Sequence, residues 1–256
     1  MKHCALRKLC IAGMIAAGLM VSFPGALWAS TGKVKLDHAN IDIHDTESLR
    51  RGAKYFANYC FNCHSIRFMR YSRVAKDLDI SEDDVSKTML FTGAKIGDAM
   101  NIALDPEDAK RWFGVAPPDL SVVTRSRGVD WIYTYLRSFY KDESRPWGVN
   151  NAVFKDVAMP HVLWELQGLQ EATTGTINSK EGVEHTVITG FNLIEKGKMN
   201  PDEYNNVVRD IVTFLAYVGE PTKATRLNLG RWVLGFLAVY FVVMFLLKKE
   251  YWKDVK

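Results

Sequence analysis

Cys60-Phe61-Asn62-Cys63-His64 decides how this chain is read. Two thiols separated by two residues, followed at once by an imidazole, form the C-x-x-C-H pattern of covalent haem attachment. Each thiol can add to one vinyl group of the same macrocycle, and the adjoining His is placed to ligate the iron. A structural zinc site needs four ligands. The sequence has no second Cys pair or close His pair to complete one, since its other cysteines, Cys4 and Cys10, lie near the N-terminus. A thioredoxin-like pair should follow a strand in a βαβ pattern. Here the residues before the motif repeat at helical spacing: Leu49, Ala53, Phe56, Ala57 and Cys60.

Working outward, Asp45-Thr46-Glu47-Ser48 is a helix start, and its helix delivers the motif at its C-terminal end. Ser81 with Asp84 resembles a capping box and predicts a helix through about Phe91. Gly128-Val129-Asp130 precedes Trp131, Ile132, Tyr135, Leu136 and Phe139, an amphipathic pattern. Asn200-Pro201-Asp202-Glu203 combines a cap residue, a first-position proline and two acids, opening a helix that runs to about Val218. The acidic clusters Glu82-Asp83-Asp84 and Asp105 to Asp108 read as helix N-termini rather than as steering patches for a basic partner. Gly114 to Ser126 and Arg145 to Pro160 read as long loops, and Val183 to Ile194 alternates enough to suggest a short strand pair. The expected fold is mostly α: a cytochrome c-like haem domain with long loops, plus one C-terminal transmembrane helix.

The termini supply topology. Lys2, Arg7 and Lys8, the apolar run Leu9 to Val21 and then Ala26-Leu27-Trp28-Ala29 have the three parts of a secretory signal, with cleavage expected after Ala29. Near the other end, Leu229 to Leu247 is almost wholly apolar and reaches roughly 28 Å as a helix, close to a bilayer's hydrocarbon thickness. Trp232, Tyr251 and Trp252 suit the interfaces, and Lys248, Lys249, Lys253 and Lys256 place the tail in the cytoplasm. The expected organisation is a cleaved signal peptide over 1–29, a periplasmic haem domain over 30–226, a transmembrane helix over 227–248 and a cytoplasmic tail over 249–256. A bacterial inner membrane is the expected location.

Charge follows the same partition. The whole chain carries 33 basic and 29 acidic residues, a net +4. The first 29 residues hold three of the basic ones and no acid; residues 248–256 hold four Lys against Glu250 and Asp254. Residues 30–247 therefore hold 26 basic and 27 acidic residues, a net −1. The basic balance reports targeting and topology, not a nucleic-acid partner.

Function turns on the sixth iron position. A Met opposite the His raises the potential and gives an electron carrier, while an open site permits ligand chemistry. The expected haem domain, residues 30–226, offers Met69, Met89, Met100, Met159 and Met199. Met69 is too close to His64 to cross the ring, Met89 and Met100 look like core, and Met199 precedes a helix cap. Met159 stands in a long loop, stiffened by Pro160. Spacing leaves two readings of Met159, iron ligand or gap-filling side chain. His38, His44, His161 and His185 remain alternative ligands.

Five stretches carry a family resemblance: Ser48-Leu49-Arg50-Arg51-Gly52 leading to the motif; Trp112-Phe113-Gly114 with Pro117-Pro118-Asp119-Leu120-Ser121; Asp130 to Leu136; Met159-Pro160-His161-Val162-Leu163-Trp164-Glu165; and Phe214-Leu215-Ala216-Tyr217. With the C-terminal anchor, they make the chain resemble the cytochrome c1 family, the haem subunits of ubiquinol–cytochrome c reductase (bc1) complexes, of the proteobacterial type. The resemblance implies one haem c on Cys60 and Cys63, with His64 and Met159 as axial ligands. It implies a haem pocket lined by Pro117 and Pro118, with Arg125 facing a propionate and Trp131 nearby. It implies cytochrome b, a Rieske iron–sulfur protein and a cytochrome c acceptor as partners, membrane lipid around the anchor, a dimeric complex, and no enzyme activity of the chain by itself. The alternative is an anchored haem c subunit of another redox complex, of the oxidase or peroxidase type.

Overall fold

The computed structural model describes residues 34–178 and 184–254. The expected signal peptide over 1–29 lies outside the described residues, as do Val183 at the hairpin tip, the His185 side chain and the last two residues of the tail.

Helix α1 (Thr46–Tyr55) begins where its cap predicts: the Asp45 carboxylate accepts the Ser48 N–H at 3.0 Å. It continues into a π-helical turn, Phe56–Cys60. Then come β1 (Ile66–Arg70), α2 (Tyr71–Asp77), α3 (Glu82–Thr88), β2 (Ala99–Met100), α4 (Pro106–Phe113), α5 (Val123–Ser126) and α6 (Val129–Arg137). The chain goes on through β3 (Phe139–Lys141), β4 (Val149–Asn151), α7 (Trp164–Gln167), β5 (Gly168–Asn178), β6 (Glu184–Lys196), α8 (Pro201–Gly219) and α9 (Lys223–Tyr251). The strands form three separate antiparallel pairs, β1–β2, β3–β4 and β5–β6. The mostly helical class is as expected.

Helix α8 is the organising element. Asn200 caps it through the backbone N–H groups of Asp202 and Glu203, and Glu203 reaches back to the Asn200 N–H, a complete capping box. Its buried face, including Val208, Ile211, Val212, Phe214 and Leu215, packs against α1, α5, α6 and α7. Phe56, at the start of the π turn, lies 5.5 Å from Phe214 and 5.9 Å from Phe61, ring centre to ring centre, so the core reaches into the Cys60–His64 segment.

The crossing of α1 and α8 explains the Ser48-Leu49-Arg50-Arg51-Gly52 stretch. Gly52 lies where the backbone of α8 passes, and a Cβ there would fall 2.1 Å from the Asp210 carbonyl oxygen. The buried Asp210 carboxylate accepts Ser48 Oγ at 2.6 Å, Arg51 Nε at 2.6 Å and Arg51 Nη2 at 3.0 Å. Arg50 donates to the carbonyl oxygens of Leu78 and Asp79 at 2.7 and 2.9 Å, fixing the exit from α2. Asp210→Asn keeps the shape but removes the charge that both partners serve. Hydrogen bonds to a charged group contribute about 1.5–3 kcal/mol, so the variant is expected to lose ~2 kcal/mol, read by denaturant titration.

Four expectations need correction. The helix from Ser81 ends at Thr88, not near Phe91, because Met89 turns into the core and Thr88 Oγ1 bonds the Asp84 carbonyl. The strand pair is a long hairpin, 168–178 against 184–196. Beyond Gln170, the described side chains of that hairpin are largely solvated. The segments read as loops contain α5 and β4. The apolar run Leu229 to Leu247 lies inside a longer helix that begins at Lys223, so only Glu220–Thr222 separates that helix from α8. By length and composition, Thr225–Tyr251 within α9 suffices to cross a membrane, and its apolar window is wholly exposed among the described residues.

Candidate haem site

The π turn gives the motif its geometry. Phe61 N–H bonds the Phe56 carbonyl at 3.0 Å, and the N–H groups of Cys63 and His64 both bond the Cys60 carbonyl, at 3.1 and 2.9 Å. Such widened turns recur at functional sites because they re-aim the residues that follow. Both thiols are free. Burial, then the nearness of Cys63, pushes the Cys60 thiol up to about 12, and burial raises Cys63 as well. Catalytic redox pairs depress a thiol instead, so this pair lacks the thiolate that redox exchange uses.

His64 is held from the side. Its Nδ1 lies 2.7 Å from the Pro118 carbonyl oxygen, which requires an Nδ1–H donor and leaves the Nε2 lone pair for a metal. Burial lowers the His64 pKa, against the opposing effects of the Pro118 carbonyl and Asp119, so the ring is kept neutral. Such a carbonyl behind a ligating His fixes both tautomer and ring orientation.

The Pro117-Pro118-Asp119-Leu120-Ser121 run is laced to the segment after the motif. Leu120 N–H bonds the Ser65 carbonyl at 2.9 Å. Asp119 accepts the Arg67 backbone N–H at 3.0 Å and its Nε at 3.1 Å, and Ser121 Oγ accepts the Phe68 N–H at 3.1 Å. Burial opposes the Asp119 charge, but hydrogen bonds from Ser121 and Arg67 outweigh it and hold the carboxyl below its ordinary value. Upstream, Gly114 ends α4 in the left-handed conformation (φ 78°), which a side chain would oppose. Pro117 is half-buried and Pro118 exposed. Arg125 is exposed, and no side-chain hydrogen bond or ion pair joins it among the described residues.

Met159 packs against the apolar cluster that contains Cys60 and Phe61. Its sulfur accepts a hydrogen bond from the Tyr135 hydroxyl at 3.3 Å. Trp131 stacks on Tyr135, ring centres 5.0 Å apart at 9°, and Arg127 lies over the Trp131 ring. The loop carrying Met159 is tied down by two buried asparagines. Asn151 Oδ1 accepts the N–H groups of Val153 and Phe154, and Asn150 Oδ1 accepts that of Asp156.

The other sixth-ligand candidates have other surroundings. Met69, Met89 and Met100 are core residues. His38 is exposed beside Asp130, 2.9 Å away, and His44 is exposed. His161 is buried and lies flat on Phe139, ring centres 4.9 Å apart, with no partner for Nε2 among the described residues. Burial pushes its pKa down to about 4. The sequence reading missed Tyr135, Asn150, Asn151 and Asp210. The i, i+4 spacing of Trp131 and Tyr135 signals a shared face, but nothing local points that face at Met159.

Two free thiols, an imidazole with one nitrogen committed to a carbonyl and a half-buried thioether form a donor set that fits a covalently held haem. The fold and site define a c-type cytochrome domain followed by a helix fit to anchor it. Residues 37–255 match the Cytochrome C1 family, and the chain belongs to that family, whose members carry one covalent haem c. It is 52% identical to a cytochrome c1 of Allochromatium vinosum, covering 94% of this chain and 98% of the relative. It is 46% identical to a protein of Nitrosomonas europaea named ammonia monooxygenase gamma subunit, covering 91% and 94%. A cytochrome c1 of Rhodospirillum rubrum is 26% identical over 95% and 97%.

Proposed function

We propose that this chain is the membrane-anchored cytochrome c1 of a ubiquinol–cytochrome c reductase, taking single electrons from a Rieske iron–sulfur protein and passing them to a cytochrome c. The observation that carries this reading is the hydrogen bond from His64 to Pro118, which presets the imidazole beside two thiols at the end of a packed helix. Cys60 and Cys63 would hold the macrocycle, and His64 and Met159 would ligate the iron. Pro117 and Pro118 would line the pocket, Trp131 would border it, and Arg125 would face a propionate, which suits a guanidinium with no side-chain partner among the described residues. The bound haem supplies a one-electron ferric–ferrous couple. The chain's part is to fix the ligands, exclude water and set the potential.

The organisation follows the same reading: a signal peptide over 1–29, a periplasmic domain over 30–226, a transmembrane helix over 227–248 packed against cytochrome b, and a cytoplasmic tail over 249–256, in a dimeric complex of a bacterial inner membrane. Capture of this chain from detergent extracts is expected to bring a dihaem cytochrome b and a Rieske protein with it. The Nitrosomonas relative's name favours a second reading, an anchored haem c subunit of another redox complex. Recovery with monooxygenase or copper-containing oxidase subunits instead of cytochrome b would establish that reading and remove the first.

A further inference from the structure

We infer that Tyr135 is a positioning residue for the iron's sixth ligand, and that its hydroxyl, by donating to the Met159 thioether, raises the reduction potential of the haem. The inference rests on the reading of Met159 as ligand and adds to it the group that aims and polarises the sulfur.

The hydroxyl is committed to this contact. Its oxygen lies 3.3 Å from the Met159 sulfur, and no other side-chain hydrogen bond joins it among the described residues. A largely buried phenol needs a partner, and a thioether is a weak acceptor. The pairing is therefore imposed by where the two elements sit rather than by mutual affinity.

Tyr135 cannot turn away. Trp131 lies flat on its ring at 5.0 Å, Phe139 meets it edge-on at 5.2 Å, and its carbonyl accepts Asn151 Nδ2 at 2.8 Å. The same Asn151 holds the start of the Met159 loop through Val153 and Phe154. One asparagine thus fixes donor and acceptor relative to each other.

The consequence is electronic as well as steric. A thioether sulfur has two lone pairs; a hydrogen bond to one leaves the other for a metal and restricts rotation about the terminal torsion. The donated proton also withdraws density from the sulfur. A ferric iron needs that density more than a ferrous one, so the contact favours the reduced state. Hydrogen bonding to an axial ligand is one of the levers by which a protein sets haem potential.

Tyr135→Phe tests this in the purified membrane complex, because it removes one oxygen and keeps the ring stack. The expected result is a retained sulfur-to-iron charge-transfer band in the ferric spectrum with a lowered midpoint. At a fixed ambient potential the ferric-to-ferrous ratio should rise about threefold, ~28 mV at 59 mV per tenfold change for a one-electron couple. Tyr135→Leu, which removes the stack as well, is expected to weaken the band itself. An intact band with an unchanged midpoint in Tyr135→Phe overturns the role of the hydroxyl and leaves the Met159 ligand standing. A band absent from the unsubstituted protein, or persisting in Met159→Leu, overturns the ligand reading and this inference with it. A second measurement needs no variant. Reduced-minus-oxidised infrared spectra should show a tyrosine mode that shifts in D2O, and its absence counts against the proposal.

Discussion

Met159→Leu is expected to abolish the sulfur-to-iron charge-transfer band, lower the midpoint potential by a few tenths of a volt, and open the ferrous iron to carbon monoxide. Leucine replaces methionine at nearly constant volume, a change that costs under about 1.5 kcal/mol in packed sites. The loop should stay in place, since its anchors are the backbone contacts of Asn150 and Asn151 and the bond from Arg145 to the Asp156 carbonyl, none of which involves the thioether. What is lost is the sulfur, and axial ligand identity spreads haem potentials over about 0.8 V. An optical spectrum and a redox titration of the complex decide the matter. An unchanged spectrum would remove Met159 as the ligand. His161, two residues on and with no Nε2 partner among the described residues, would then be tested by His161→Ala.

Gly52→Ala is expected to disrupt the crossing of α1 and α8. The new Cβ would sit 2.1 Å from the Asp210 carbonyl oxygen, 2.7 Å from its carbonyl carbon and 2.8 Å from Phe214 Cβ. Backbone atoms cannot rotate aside, so α1 and α8 must separate. Alanine's better helix propensity returns about 1 kcal/mol. Against it stand overpacking, about 1–3 kcal/mol and occasionally more, and weakened bonds from Ser48 and Arg51 to Asp210, about 1.5–3 kcal/mol for a charged acceptor. The net loss is on the order of 3 kcal/mol, or ~6–12 °C in unfolding temperature for a domain of this size. Because α1 carries the motif, haem-loaded protein should accumulate less. Gly97, with nothing within 4 Å of its Cβ position, provides the control, and Gly97→Ala should change neither readout appreciably. Equal behaviour of the two variants would show that the helix crossing does not limit stability.

These two sites differ in how far the sequence announces them. Met159-Pro160 stands out in a loop because methionine is scarce there and proline follows it. Gly52 sits unmarked inside a helix, where glycine is locally unfavourable. The reason for it lies 158 positions away, at a carbonyl of α8. Asp210 likewise reads as one more polar residue on an amphipathic helix until Ser48 and Arg51 are brought to it. The strong caps at Asp45, Asn200 and Asp105 were legible because capping is settled within four residues. The 168–196 hairpin was legible only in part: alternation over 183–194 marks strand, while nothing local marked the arm over 168–178.

The sequence by itself determined the cofactor chemistry, the start of each well-capped helix and the apolar segment that follows the haem domain. Those properties are set by residues adjacent in the chain: a pentapeptide, a cap and its first turn, an unbroken apolar run. Only the tertiary structure decided how His64 is oriented, what holds Met159 and why Gly52 must be glycine. Each of these depends on a partner distant in sequence: the Pro118 carbonyl, the Tyr135 hydroxyl and the Asp210 backbone. A hydrogen bond or a close approach acts over a few ångströms of space, and only the packing of α1, α6 and the loops around α8 brings those groups within reach.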